Sequence, residues 1–131
     1  MINSVNVPVQ TVALVSPVLF ASDRIKTGCS VRHEAGSGRF VLTKPGIYKV
    51  TFNGILSATA TGTAILNLYQ DGEQVPAAQT QVPVGAAVVG TGAFTTLIRV
   101  YGCGNSTVSV VNNSTIPITA TNASVTIDRL C

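Results

Sequence analysis

Gly38-Arg-Phe-Val-Leu-Thr-Lys-Pro-Gly-Ile-Tyr-Lys-Val-Thr-Phe52 is the stretch from which the rest of the chain can be laid out. Phe40, Val41 and Leu42 form a short apolar run of strand-forming residues. Lys44-Pro45-Gly46-Ile47 has the chemistry of a type II turn: proline presets φ at the second position, and glycine supplies the positive φ of the third. Tyr48, Val50 and Phe52 then alternate with Lys49, Thr51 and Asn53, the period-two signature of a half-buried strand. This register turns Tyr48, Val50 and Phe52 to a core and Ile47, Lys49 and Thr51 to the opposite face. A type II turn matches the twist of a hairpin poorly, so the two strands are expected in facing sheets rather than paired. The expectation is a β-sandwich.

Composition agrees. Nineteen valines, sixteen threonines and nine isoleucines make a third of the 131 residues β-branched, which favours strands, and no window carries a helical apolar period. The length suits one domain spanning residues 1–131. Only 10% of residues are charged, against about 25% in ordinary soluble domains, and Arg99 is the one charged side chain between Gln74 and Ile127. So few charges thinly cover the roughly 6,500 Å² expected of a monomer this size, and such a surface tends to associate. Seven charges of both signs fall between Asp23 and Lys44 and read as one solvated edge. Without a concentrated basic face or stacking aromatics, nucleic acid is not an expected partner. Nor is a membrane: prolines at 8 and 17 and polar residues interrupt the apolar stretch 5–20, which is shorter than the ~20 residues of a span. The first residues also lack the pattern of a secretory signal.

Outward from the central stretch, strand-like runs occur at 5–9, 12–15 and 18–20, then at 39–42 and 47–56. The polar segment 21–37 reads as an exposed connection and 58–63 as a small-residue loop. Residues 64–69 and 75–80 flank Asp71-Gly72, the strongest short-range hairpin signal in the chain. Residues 82–92 fit a loop or a weak strand. Residues 93–101, a turn at 102–105, and runs at 107–112 and 123–130 complete eight to ten strands at sandwich spacing.

No constellation of catalytic residues stands out. His33 lies in a polar stretch beside Glu34 and near Ser37, and reads as a surface histidine. Gly36-Ser37-Gly38 lacks the spacing of a nucleophile elbow, no second histidine sits at zincin spacing, and the short Gly-x-Gly stretches at 90–92 and 102–104 have no lysine placed to make a phosphate loop. Five acidic residues in all leave little scope for a paired-carboxylate hydrolase. Cys29, Cys103 and Cys131 form no Cys-x-x-Cys pair. Buried free thiols, one disulfide with a spare thiol, a link between subunits and a zinc site with His33 all fit the sequence. The reading is a non-enzyme without cofactor or metal.

Phe40, Gly46, Tyr48, Val50 and Phe52 in their spacing resemble the signature of the complement globular-head and tumour necrosis factor superfamily, although that pattern carries aromatics where Val50 and His33 stand. The run Ala123-Ser-Val-Thr-Ile-Asp-Arg-Leu130 is similar to the last inner-sheet strand of phage and Gram-positive bacterial members. The resemblance implies an all-β jelly-roll sandwich of ten antiparallel strands that assembles as a homotrimer. It also implies that Ile47, Lys49, Thr51, Leu97, Arg99 and Tyr101, on the outer face of the inner sheet, meet neighbouring subunits.

Phage and spore-surface members share this compact, stalk-less form. The expected function is therefore a structural virion protein of a bacteriophage, a capsid decoration assembled in the host cytoplasm and bound to the major capsid protein or another virion surface protein. A tail or fibre adhesin with a host-surface ligand, or a protein of the spore or cell surface, is the alternative. Met1, Ile2, Asn3, Val5 and Val7 offer hydrogen bonds and apolar contact with no charge to desolvate, and are the expected attachment segment or trimer base. The competing expectation is that they form the first strand of the sandwich.

Overall fold

The computed structural model describes residues 1–86, 88–101 and 105–130. Two antiparallel sheets face each other. The first contains β1 (Ile2–Asn6), β2 (Gln10–Val12), β3 (Ser22–Lys26), β6 (Gly46–Ser57), β9 (Gly90–Val100) and β11 (Ile118–Arg129), in the order β3-β1-β11-β6-β9, with β2 continuing β1 along β11. The second contains β4 (Val31–His33), β5 (Phe40–Leu42), β7 (Gly62–Gln70), β8 (Glu73–Val84) and β10 (Ser106–Asn112), in the order β4-β5-β10-β7-β8. The chain crosses between sheets from β3 to β4, β5 to β6, β6 to β7, β8 to β9, β9 to β10 and β10 to β11, the Greek-key wiring of a jelly roll.

β5 and β6 lie in different sheets, as the residues at 44–47 imply, but the connection is not a type II turn. Gly46 has φ of 143°, more extended than the roughly +80° of that turn, and already pairs with Val100 in the ladder. The Lys44 carbonyl, which a type II turn would offer to the Ile47 amide, instead accepts the buried Tyr48 hydroxyl at 2.7 Å. By contrast, the Asp71-Gly72 hairpin forms as its sequence demands. Both residues have positive φ, 53° and 83°, as a type I′ turn requires, and Gln70 pairs with Glu73 across it.

The described residues contain eleven strands rather than eight to ten. The expected run at 18–20 forms no strand, while β3 and β4 lie inside the polar segment 21–37 expected to be a connection. Both are edge strands, where charged side chains such as Arg24, Lys26 and Arg32 blunt pairing with other chains and mask the alternation. Residues 82–92 divide between the end of β8 and the start of β9, around a Gly85–Val88 bridge. β11 starts at Ile118 because a bulge between Thr121 and Ser124, with Asn122 at φ of 52°, carries the ladder past the break.

Inward-facing Tyr48, Val50 and Phe52 of β6 are fully buried. Phe52 stacks on Phe94 of the neighbouring strand with ring centroids 5.6 Å apart, and Phe20 meets Phe40 at the same separation. The segment 13–18 closes one side of the sandwich. It leaves β2 in the first sheet and docks on β10 of the second, through Val15 N–H to Asn112 O (2.9 Å) and Val18 N–H to Val110 O (2.8 Å). The fully buried Asn112 pins this crossing. Its Nδ2 donates to Val12 O at 3.0 Å and Ile116 O at 3.2 Å, and its Oδ1 accepts Ser114 N–H at 3.0 Å.

Three outcomes follow, all read by urea unfolding. Phe52→Ala removes an aromatic from the packed centre and is expected to cost about 3–5 kcal/mol. Asn112→Ala strands buried carbonyls and is expected to cost about 1–3 kcal/mol, while Thr121→Ala, on the outer face, changes stability by under about 0.5 kcal/mol.

Candidate functional site

The residues expected at a subunit interface gather on the outer face of the first sheet. Cross-strand register places Thr126 of β11, Thr51 of β6 and Thr95 of β9 in one row, with Asn3 of β1 extending it. The next row holds Val5, Ser124, Asn53 and Ala93, and a further one Thr121, Ile55 and Thr91. These three rows carry no charge. Their polar atoms bond to one another, Asn3 Nδ2 donating to Thr126 Oγ1 at 2.8 Å and Thr95 Oγ1 to Thr51 Oγ1 at 3.4 Å. Charge is confined to one end, where Asp128, Lys49 and Leu97 share a row and Ile47 pairs with Arg99. There Leu97 is 60% exposed and Tyr101 75%, with the Arg99 guanidinium 5.0 Å over the Tyr101 ring.

The N-terminal segment is a strand. β1 is hydrogen-bonded on both sides, to β11 and β3, and Ile2 is fully buried in the core. Ile2 therefore cannot form part of an attachment surface, because its side chain packs between the sheets. Asn3 and Val5 are half-buried on the outer face, while Met1 and Val7 are exposed. Exposed apolar side chains concentrate just beyond β1, at Val7, Val9, Leu14, Val15 and Leu19.

His33 is not a surface residue. β4 turns its side chain inward, where it is completely buried and stacks on Phe40 with centroids 4.3 Å apart. Nε2 donates to the Ser37 carbonyl at 2.8 Å, and Nδ1 contacts Asp23, which also accepts the Ser4 hydroxyl. Ser, His and Asp thus meet without making a triad. Ser4 lies on the Nδ1 side, 3.5 Å away, and the nitrogen that would take a nucleophile's proton is held by a carbonyl. The cluster joins β1 and β3 of one sheet to β4 of the other. Sequence reasoning missed it because its members are 10 to 29 residues apart; the one local signal was an apolar–polar alternation at Val31-Arg32-His33. Cys29 is an exposed free thiol, not buried; Cys103 and Cys131 lie outside the described residues.

The outer face of the second sheet carries a recess of about 520 Å³, and another of about 720 Å³ lies where β4 and β5 come beside Lys26 of β3; both include Arg39. Apart from the Asp71-Gly72 hairpin at the edge of one recess, only the crowding of charges at 23–44 hinted at them.

No family model matches the chain, and no curated protein matches it. Solved structures do. Murine APRIL at pH 5.0 aligns with a TM-score of 0.72 at 12% identity over 98% of each chain. The globular domain of zebrafish complement 1qA protein gives 0.73 at 11% identity, covering 99% of this chain and 96% of that one. The vertex protein P5 of phage PRD1 gives 0.61 at 14% identity, again covering 99% and 96%. With two antiparallel sheets wired in this order and superposed on these structures along almost its whole length, the chain has the jelly-roll fold of the tumour necrosis factor and complement globular-head superfamily.

Proposed function

We propose that the protein is a non-enzymatic structural component of a phage particle, a homotrimeric single-domain protein that decorates the capsid surface. The observation that carries this reading is the outer face of β11, β6 and β9, three charge-free rows bordered by an exposed Leu97 and Tyr101. A face of this kind has no charge to desolvate, and Asn3 with Thr126 and Thr95 with Thr51 are already hydrogen-bonded to each other. Ile47, Lys49, Thr51, Leu97, Arg99 and Tyr101 all lie on it, toward the charged end, where Lys49 and Asp128 set the register between subunits. The likeness in fold to a phage vertex protein supports a place on a virion.

Attachment to the particle falls to the exposed apolar residues at and after the N-terminal strand, Met1 and Val7 with Val9, bordered by Asn3 and Val5. Three copies in one trimer repeat each weak contact. Once one subunit docks, the others meet their sites at high effective concentration.

Light scattering at micromolar concentration is expected to give three times 13.5 kDa. Thr95→Glu buries a charge in each subunit contact and is expected to leave a folded monomer; a monomeric parent protein overturns the trimer. Val7→Asp combined with Val9→Asp is expected to keep the trimer mass and abolish co-sedimentation with particles. Full retention on particles removes this segment from the attachment role. Gold labelling of the protein on particles separates head from tail, and label confined to spores would favour the spore-surface alternative.

A further inference from the structure

We propose that the outer face of the second sheet binds an acidic oligosaccharide along a groove centred on Arg39. This inference does not need the trimer: the groove is lined from β5, β7 and β10 and from the edge strands β3 and β4, and shares no residue with the three uncharged rows.

The two recesses that meet at Arg39 differ in chemistry. One is walled by Val15, Pro17 and Val111 and floored by Tyr69 and Ser109. It offers an aromatic ring and apolar wall for the C–H face of a sugar and a hydroxyl for its oxygens. Its rim is strained: Val15 has φ of 57° and is 76% exposed, although a β-branched residue at positive φ is a steric outlier. Its amide is held by Asn112 O at 2.9 Å. Strain of this kind persists where surrounding structure enforces it, and it clusters at ligand clamps.

The other recess is cationic. Lys26, Arg32 and Arg39 converge on it from three separate stretches of chain, with Glu34, Ser37 and Val41 between them. Among the described residues none of the three cations forms an ion pair, while the nearby Asp23 is taken up by His33. Ser37 Oγ accepts the Arg39 amide at 3.0 Å, which leaves its hydroxyl hydrogen free to donate. The ligand that complements the pair of recesses is amphipathic and hydroxylated at one end and negatively charged at the other.

A carboxylate decides between polyanions. Glu34 in the cationic recess accepts hydroxyl hydrogens, which every unit of an oligosaccharide offers and the inner units of oligothymidylate do not. Tyr69 is the one aromatic residue available, too few for a stacked single strand of nucleic acid. β4 and β5, three residues each, are too short to template an added peptide strand.

The test is an NMR titration of the isotope-labelled full chain with tetragalacturonate, maltotetraose, inorganic phosphate and oligothymidylate. Tetragalacturonate is expected to shift the amides of Arg32, Arg39, Tyr69 and Ser109, and neutral maltotetraose to bind more weakly at the same amides. Arg32→Gln with Arg39→Gln is expected to weaken tetragalacturonate binding about tenfold, a loss on the scale of one or two charge-assisted contacts. Arg24→Gln with Lys44→Gln, the same change of charge outside both recesses, is expected to leave it unchanged. Equal weakening by the two double variants reduces the effect to net charge and overturns the site. So does saturation by phosphate alone, tighter binding of oligothymidylate, or absence of shifts with tetragalacturonate. Light scattering on the same samples reports the trimer separately, so failure of one reading leaves the other standing.

Discussion

β6 is hydrogen-bonded along nearly its whole length on both sides, to β11 and β9, and this double pairing constrains everything around it. A strand so placed has no edge, so its side chains have only two destinations. Tyr48, Val50, Phe52 and Leu56 point inward and are fully buried. The aromatic members supply the large apolar area on which facing sheets are held together, and Phe52 reaches Phe94 on β9. The outward set, Thr51, Asn53 and Ile55, becomes the middle of a broad face whose neighbours on β11 and β9 are also threonine, serine and alanine. One strand thus builds the core and, from its other side, the surface proposed for assembly.

The few charges are distributed in keeping with that division. They avoid the central rows of the first sheet and collect at its lower end and along the edge strands β3 and β4. Edge strands benefit from charge, which discourages pairing with other chains. Sparing the central rows leaves that face without charge, and crowding cations on the edge strands leaves Lys26 of the first sheet beside Arg32 and Arg39 of the second. The uncharged face proposed for assembly and the cationic groove proposed for a ligand are two consequences of one uneven allocation.

The N-terminal chain joins the two sheets. β1 lies inside the first sheet, and the segment that follows crosses to β10. Gln10 clamps the return, donating from Nε2 to Leu19 O at 2.8 Å and accepting Leu19 N–H at 3.0 Å. Ser4, Asp23 and His33 form a polar tie across the same side. The residues expected to be an attachment segment or trimer base therefore lie largely in a strand, the competing expectation, and the exposed apolar side chains that follow are Val7, Val9, Leu14, Val15 and Leu19.

The strands with alternation and the Asp71-Gly72 hairpin were legible from the chain alone, because each depends on residues a few positions apart: side-chain direction has period two, and turn type follows from the φ that glycine, asparagine or proline allow. Residues 40–42 and 47–56 do lie in facing sheets, but the type II turn from which that was expected does not form. The inward register of Tyr48, Val50 and Phe52 was legible from the same period of two. Edge strands β3 and β4, the burial of His33, the anchoring by Asn112 and the meeting of two recesses at Arg39 were not. Each rests on partners far away in sequence, as in the 100 residues between Val12 and Asn112. A polar side chain becomes buried only when distant acceptors satisfy it, and a charged strand is held only when a neighbouring ladder pairs it. Which partners those are is decided by how the sheets close, and that belongs to the tertiary structure.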